Sequence, residues 1–149
     1  MKTLDVAKYI VNRSIDKDKP VSNLQLQKML YFSHIDVLKA GKGKLIDDSQ
    51  FEAWDYGPVV REVYNEFSPY GATKLTIKED VSENLDKEIK DIVDKSIDKC
   101  IKKAPWELVK ESHQEGGPWH KAYKKGEKNI ISDKDIEDEA KNAPKTKTV

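Results

Sequence analysis

The chain has 149 residues, of which 37% are hydrophobic and 36% charged, and its 27 Lys and Arg residues balance its 27 Asp and Glu residues. This length can bury a core without covalent cross-links. Zero net charge gives no overall attraction to nucleic acid or anionic membranes, and one cysteine, Cys100, excludes an internal disulfide and a multi-cysteine zinc site. No apolar run reaches the roughly 20 residues that span a bilayer, and residues 1–5 do not resemble a signal peptide. We therefore expect a soluble, cytoplasmic protein with no membrane partner.

The first 41 residues predict two antiparallel helices joined by a short loop. Thr3 can cap the first helix, which has an apolar stripe at helical spacing. The second begins at a capping box, in which Ser22 is followed three residues later by Gln25. Gly41 can adopt the left-handed conformation that ends a helix. The apolar residues of helix 22–41 cover more than one face, so we expect it to be central and buried.

The middle of the chain predicts a small sheet and two further helices. Residues 49–54 alternate between apolar and polar side chains, and residues 73–78 do the same. We therefore expect these two segments to pair as antiparallel strands. Pro58 suits the first position of a helix, where its missing N–H group is no loss. A long helix is predicted over residues 82–104, opening at Ser82.

The C-terminal part predicts shorter helices after Pro105, after Pro118 and after a weak capping box at Ser132. Beyond Ala140 the apolar periodicity is lost. The predicted fold class is mainly α (α+β): a compact helical bundle around the central helix, with a small antiparallel hairpin. We expect one domain over residues 1–141 and a flexible tail over residues 142–149.

Histidine residues raise the question of a metal site or a catalytic site. His113, Glu115 and His120 have the spacing His-x-Glu-x4-His, and such side chains can bind zinc. The Gly-Gly-Pro sequence between them prevents a shared helix face, so a metal-dependent enzyme is only a minor alternative. His34, inside the central helix, is interpreted as hydrogen-bonded in the core or facing outward. The sequence contains no nucleophile elbow and no phosphate-binding or dinucleotide motif. It therefore predicts neither a cofactor nor an enzyme.

Nucleic-acid binding has some support from a lysine cluster near the C-terminus. Phosphates attract such a patch, although surface lysines more often serve solubility, and no helix-turn-helix pattern is present. A nucleic-acid partner is therefore disfavoured. The cluster contains Lys121, Lys124, Lys125 and Lys128.

Aromatic residues beside glycine or proline, in loops and at helix starts, allow two interpretations. They fill the joint between hairpin and bundle, or some are exposed anchors of a protein interface, where Trp and Tyr contribute much of the binding energy. The residues alone favour the structural interpretation. The set is Trp54, Tyr56, Tyr70, Trp106, Trp119 and Tyr123.

Four sequence blocks, in order, resemble the Panacea domain family of SocA-like antitoxins and phage-associated GepA-type proteins. The most specific is Phe-Glu-Ala-Trp-Asp-Tyr-Gly-Pro-Val. The blocks are residues 24–32, 51–60, 108–119 and 131–136. The resemblance implies a bacterial or prophage antitoxin that binds and neutralises a toxin encoded by a neighbouring gene. It also implies an alternative role, as an adaptor that delivers the toxin to a cytoplasmic AAA+ protease.

The predicted site is a toxin-binding surface formed by aromatic residues and a Gly-Pro turn. The inhibitory mechanism would be occlusion of the toxin. A purely structural role for the same residues, fixing the turn and the last helices, is an equally favoured alternative. The predicted site residues are Trp54, Tyr56, Gly57, Pro58 and Trp119, with Lys28, Tyr31 and His113 in support.

Overall fold

The structure, a computed structural model, describes the backbone of residues 2–82 and 84–147. Within these residues it is mainly α-helical, with one two-stranded antiparallel sheet, as the sequence predicted. The elements in chain order are α1 (Thr3–Asp16), α2 (Asn23–Lys39), β1 (Glu52–Trp54), β2 (Gly57–Val59), α3 (Arg61–Phe67), a 3-10 turn (Ser68–Tyr70), α4 (Lys87–Ile101), α5 (Pro105–Ser112), α6 (Pro118–Ala122) and α7 (Asp133–Lys147).

Helix α2 is the centre of the fold, and its predicted boundaries are confirmed. The Ser22 N–H donates to Gln25 Oε1 at 3.0 Å, and the Gln25 N–H donates to Ser22 Oγ at 3.3 Å, which completes the capping box. Gly41 follows the helix with φ +73°. The side chains of Leu26 and Met29 are fully buried. Helices α1, α4, α5 and α7 all pack against α2, so its broad apolar surface contacts the bundle on several sides.

The β-hairpin differs from the prediction. Strand β1 pairs with β2, with Ala53 opposite Pro58, through a two-residue turn. Residues 73–78 contribute only an isolated bridge between Lys74 and Ser22, so the predicted pairing was wrong. Pro58 lies in a strand, and the following helix begins at Arg61. Part of the reason is local: Gly57 adopts φ +119°, a conformation that favours glycine, and this closes the hairpin before a helix can start.

The second edge of β1 is also covered. The Ala53 N–H donates to the carbonyl of Asn129 at 2.7 Å, and the Ile131 N–H donates to the carbonyl of Phe51 at 2.8 Å. The segment before α7 therefore runs along β1. Phe51 and Ala53 are buried, whereas Glu52 is partly exposed, which confirms the predicted alternation along this strand.

Long-range polar contacts change two predicted helix starts. Thr3 lies within α1, and its hydroxyl donates to Asp48 instead of capping the helix. The Ser82 hydroxyl donates to Asp5 at 2.8 Å. Helix α4 begins after Asp86, whose carboxylate accepts from the Glu88 N–H at 3.0 Å. Because Thr3 and Ser82 each have a distant carboxylate partner, neither caps its helix.

Helix α7 starts where the sequence predicted and extends further. Ser132 Oγ accepts from the Asp135 N–H at 3.1 Å, and the backbone is helical through Lys147. Residues 148–149 lie outside the described residues, and the flexibility of the tail stays a prediction. No helix within residues 2–82 and 84–147 combines the length and hydropathy needed to cross a membrane.

Candidate functional site

The predicted site residues separate by exposure. Only Tyr56, at the turn of the hairpin, is strongly exposed, at 67%. Trp54 and His113 are partly buried. The remaining five are buried: Lys28, Tyr31, Gly57, Pro58 and Trp119. Most of the set therefore supports the turn from inside, and a partner can contact only its exposed members directly.

Helix α2 supplies two polar side chains to the outer edge of β2. Lys28 is fully buried, and its Nζ donates to the Pro58 carbonyl at 3.1 Å. The neighbouring Gln27 accepts from the Val60 N–H through Oε1 at 3.0 Å. A strand edge in the core must have its backbone groups paired, and these two side chains do so. Burial of the Lys28 ammonium group lowers its pKa to about 7.

Gly57 allows this close approach. A Cβ atom at Gly57 would lie 2.6 Å from Lys28 Cε and 2.7 Å from Ser112 Oγ. The Ser112 hydroxyl is itself held by the carbonyl of Val109 at 2.8 Å. Only glycine fits at this φ between α2 and α5, so the Tyr-Gly-Pro sequence has a structural cause.

An aromatic stack, formed by His113, Trp119 and Tyr123, ties α5 and α6 to the hairpin. The rings of His113 and Trp119 are parallel within 2°, with centroids 3.6 Å apart. The rings of Trp119 and Tyr123 follow at 4.4 Å. Trp119 Nε1 donates to the Trp54 carbonyl at 2.7 Å, and the Tyr123 hydroxyl donates to Asp55 at 2.7 Å. The last residue of β1, Trp54, and the first residue of the turn, Asp55, are thus held from one side.

Burial shifts the pKa values of two histidines, His113 and His34, and of Tyr31. Burial and the nearby charge of Lys28 lower the pKa of His113. His34 is buried and accepts from the Ile46 N–H at 3.2 Å, so of the two predicted positions the core is correct, and burial lowers its pKa to about 4. Tyr31 packs edge-on against Phe51 at 5.3 Å, and burial raises its pKa.

The predicted metal alternative fails on geometry. His113 is stacked on Trp119, and His120 Nδ1 accepts from the Gly116 N–H at 3.2 Å. Among residues 2–82 and 84–147, no three His, Cys, Asp or Glu side chains are grouped so that they could hold a metal ion. His113, Glu115 and His120 therefore do not form the site that their spacing allowed.

An open groove of about 570 Å³ lies beside the hairpin turn, and we call it the Trp54 groove. Trp54 and Tyr64 pack at 4.8 Å between ring centroids on one side. Lys128 Nζ lies 5.0 Å from the centre of the Trp54 ring. The groove is lined by Ser22, Asn23, Leu24, Gln27, Trp54, Asp55, Tyr56, Val59, Tyr64, Ser68, Gly71, Ala72, Gly126, Glu127 and Lys128.

Sequence reasoning found Trp54 and Tyr56 but missed three other residues of this groove. Tyr64 is 37% exposed, as is Leu24. Tyr64 is one position off the stripe formed by Val63 and Phe67, both buried, and that offset was the available signal. Lys128 belonged to the lysine cluster, and no local pattern connects it to Trp54.

Comparison with known proteins places these features in a family. Residues 26–120 match the family model described as antitoxin SocA-like, Panacea domain. The chain is 34% identical over 125 residues to Antitoxin SocA of Caulobacter vibrioides (strain NA1000 / CB15N). That alignment covers 76% of this chain and 66% of the relative, so it spans just under two thirds of the relative's length. No solved structure matches the chain.

The region of the family match holds the hairpin and the contacts that support it. It includes Lys28 on α2, Gly57 and Pro58 in the hairpin, and the stacked pair of His113 and Trp119. The chain belongs to the SocA-like antitoxin family and contains its Panacea domain.

Proposed function

We propose that this protein is an antitoxin that neutralises a cognate toxin protein by direct, non-enzymatic binding through the Trp54 groove. Membership of the SocA-like family supports an antitoxin role. The observation that carries the choice of surface is Tyr56, which is 67% exposed in a turn flanked by hydrogen-bonded residues, namely Trp54, Asp55 and Pro58. Exposed Trp and Tyr side chains in a fixed setting are typical anchors of protein interfaces.

Rigidity of the turn favours tight binding. Asp55 is held by Tyr123, the Trp54 carbonyl by Trp119, and the Pro58 carbonyl by Lys28. A turn whose backbone is already held in its bound conformation loses little conformational entropy when a partner covers it. In this proposal the toxin is inhibited by occlusion, because the surface covers its active region.

The proposal divides the predicted site residues into two roles. Trp54 and Tyr56 contact the toxin. Five residues behind them position the turn and do not contact the toxin: Lys28, Gly57, Pro58, His113 and Trp119. Tyr31 belongs to the core, since it is 2% exposed and packed on Phe51.

The test begins with growth. We expect expression of the neighbouring toxin gene alone to arrest cells, and co-expression with this protein to restore growth. Tyr56→Ala should abolish the rescue, because it removes the anchor. Trp106→Ala is the matched control, since Trp106 is 66% exposed but lies on α5 outside the Trp54 groove.

The thermal midpoint of both variants is measured to separate binding from folding. Rescue by Tyr56→Ala, at a thermal midpoint equal to that of the wild type, would contradict the choice of surface. No arrest by any neighbouring gene product, under confirmed expression, would count against the antitoxin proposal itself.

The adaptor role implied by the family resemblance remains an alternative prediction. It requires a ternary complex with a AAA+ protease and loss of the toxin. The half-life of the toxin during rescue separates the two mechanisms. A toxin that stays at a constant level while growth recovers indicates occlusion.

A further inference from the structure

We infer that the Trp54 groove binds a toxin segment in which an arginine stands next to a large apolar side chain, with its guanidinium group against Tyr56 and the Asp55 carboxylate. This inference rests on the proposed function, because it names the chemistry of the partner at the same surface. Three features of the groove support it: its exposed apolar walls, the affinity of its aromatic rings for cations, and a carboxylate without a cationic partner.

The apolar walls fit one large side chain. Leu24 and Tyr64 both line the groove, and each is 37% exposed. The groove volume of about 570 Å³ lies within the range of pockets that bind small ligands. A segment that places one aromatic or branched side chain there would cover these surfaces and remove them from water.

The aromatic walls favour a cation over an anion. The face of an aromatic ring carries partial negative charge and attracts ammonium and guanidinium groups. Two cations already lie over the indole of Trp54, Arg61 at 5.5 Å and Lys128 at 5.0 Å from the ring centre. The ring of Tyr56 is 67% exposed, and among the described residues no cation lies over it. It is therefore an aromatic face that a cation of the partner can cover.

The carboxylate next to this ring is that of Asp55, and it has no cationic partner within the described part of the chain. Asp55 is exposed and accepts the neutral hydroxyl of Tyr123 at 2.7 Å. A carboxylate has further lone pairs and can accept two parallel hydrogen bonds from a guanidinium group. Arginine suits this position better than lysine, because its planar group can also stack on a neighbouring ring.

The other charges of the groove do not oppose this choice. Its lining holds two carboxylates, Asp55 and Glu127, against the single ammonium group of Lys128. Glu127 lies 3.9 Å from Lys124, and both side chains are more than half exposed, so this pair is weak. An acidic segment would meet the excess carboxylate and the negative ring faces, whereas an arginine complements both.

Three capped pentapeptides that differ at one position serve as probes: Gly-Arg-Phe-Leu-Gly, Gly-citrulline-Phe-Leu-Gly and Gly-Glu-Phe-Leu-Gly. Citrulline has nearly the shape of arginine without its charge. Each probe is titrated into the full chain labelled with ¹⁵N, and the indole N–H signal of Trp54 and the backbone N–H signal of Tyr56 are followed. We expect saturable shifts with the arginine probe and about two- to fivefold weaker binding of the citrulline probe, the size of one exposed ion pair. The glutamate probe should bind more weakly still.

Three variants test the role of the Asp55 charge. Asp55→Asn removes the charge and keeps an oxygen that can accept the Tyr123 hydroxyl, so it should lower the affinity for the arginine probe to that for the citrulline probe. Tyr123→Phe removes the hydrogen bond and leaves the charge, so it should keep the preference for arginine. Glu62→Gln is the matched control, because Glu62 is exposed on α3, two positions from Tyr64 and outside the groove lining. It should leave all three affinities unchanged.

Five results would overturn the inference. They are equal or tighter binding of the glutamate probe by the wild type, an unchanged arginine preference in Asp55→Asn, loss of that preference in Tyr123→Phe as well, and no saturable shift with any probe. The fifth is a shift of the Trp54 signal that grows with protein concentration in the absence of peptide, since a second copy of the chain would then be the occupant.

The growth assay keeps this failure separate from failure of the proposed function. Rescue of growth without a preference for the arginine probe leaves the antitoxin function standing and removes the arginine segment. A clear preference for the arginine probe without any rescue does the reverse.

Discussion

The buried amine of Lys28 makes the stability of this fold depend on pH in a range where few other groups titrate. Its pKa falls from 10.5 to about 7, because burial removes the ammonium group from water. Each pKa unit corresponds to about 1.4 kcal/mol. Complete deprotonation of Lys28 in both states therefore changes the free energy of unfolding by about 5 kcal/mol. This is comparable to the total stability of many small domains.

The direction follows from proton counting. The unfolded chain keeps the Lys28 proton up to its ordinary pKa of 10.5, whereas the folded chain loses it near 7. Between these values the unfolded state binds more protons, so the free energy of unfolding rises with pH. From about pH 7 to about pH 8.5, we expect the free energy of unfolding to rise by about 2 kcal/mol because of this residue, since the folded state is already half deprotonated at the lower limit.

Other shifted groups act outside this window. The pKa of His34 is lowered to about 4, so it adds stability as pH rises towards its ordinary value of 6.5 and nothing above that. Burial raises the pKa of Cys100 from 9.0 to about 12 and also raises that of Tyr31, so both reduce stability only in more alkaline solution. The slope of the free energy of unfolding against pH, between about pH 7 and pH 8.5, therefore reports mainly on Lys28.

Urea denaturation of Lys28→Met at several pH values tests this reasoning. Methionine leaves the Pro58 carbonyl without its donor, which costs about 1–3 kcal/mol at every pH, so the slope is diagnostic and the absolute stability is not. We expect the slope to disappear in Lys28→Met and to remain in Lys8→Met, a control at a partly exposed lysine of α1. If the free energy of unfolding rose equally with pH in the wild type and in Lys28→Met, the conclusion that Lys28 is neutral in the folded state would be refuted.

Two further predictions concern the support of the turn and the core thiol. Gly57→Ala should lower the free energy of unfolding by about 3 kcal/mol or more, since it combines backbone strain with overlap on Lys28 and Ser112. Gly41→Ala, at φ +73° after the end of α2 with nothing within 4 Å of the new Cβ, should cost only the strain of about 1 kcal/mol; equal urea midpoints for the two variants would contradict the overlap. Cys100, buried and with its thiol pKa raised to about 12, should react with a disulfide reagent only as fast as the chain opens, which is checked by comparing labelling in buffer and in urea.

Local signals in the sequence predicted α2 well, because its capping box and its terminal glycine involve only neighbouring residues. A small hairpin was predicted correctly, but its second strand was assigned to the wrong segment, partly because a contact that supports the true strand is distant in sequence. Pro58 follows the preference of proline for a helix start when it is considered alone. In the fold, its carbonyl is bound by Lys28, thirty positions away. The same applies to Ser82, whose hydroxyl bonds to Asp5 instead of capping a helix.

In the candidate site, too, local features were predictable from the sequence and features that depend on distant contacts were not. The aromatic residues were recognised, and their structural role was one of two interpretations that the sequence allowed. Their exposure depends on tertiary packing, which put Trp119 at 7% exposure and Trp106, also beside a proline, at 66%. Both residues follow a proline at the start of a helix, so no local pattern could distinguish them.

Two exposed residues of the groove wall take no part in the contacts that hold the hairpin, which we call its frame, and this has a consequence for specificity. The frame depends on contacts behind the hairpin, such as Lys28 to Pro58 and Trp119 to Trp54, which a bound partner would not touch. The groove wall contains Tyr64, on α3, and Lys128, in the loop before α7, and neither takes part in those contacts. Substitutions at the wall can therefore change the shape and charge presented to a toxin while the turn keeps its position. Under the proposed function, binding specificity and fold stability are then separable at these two positions.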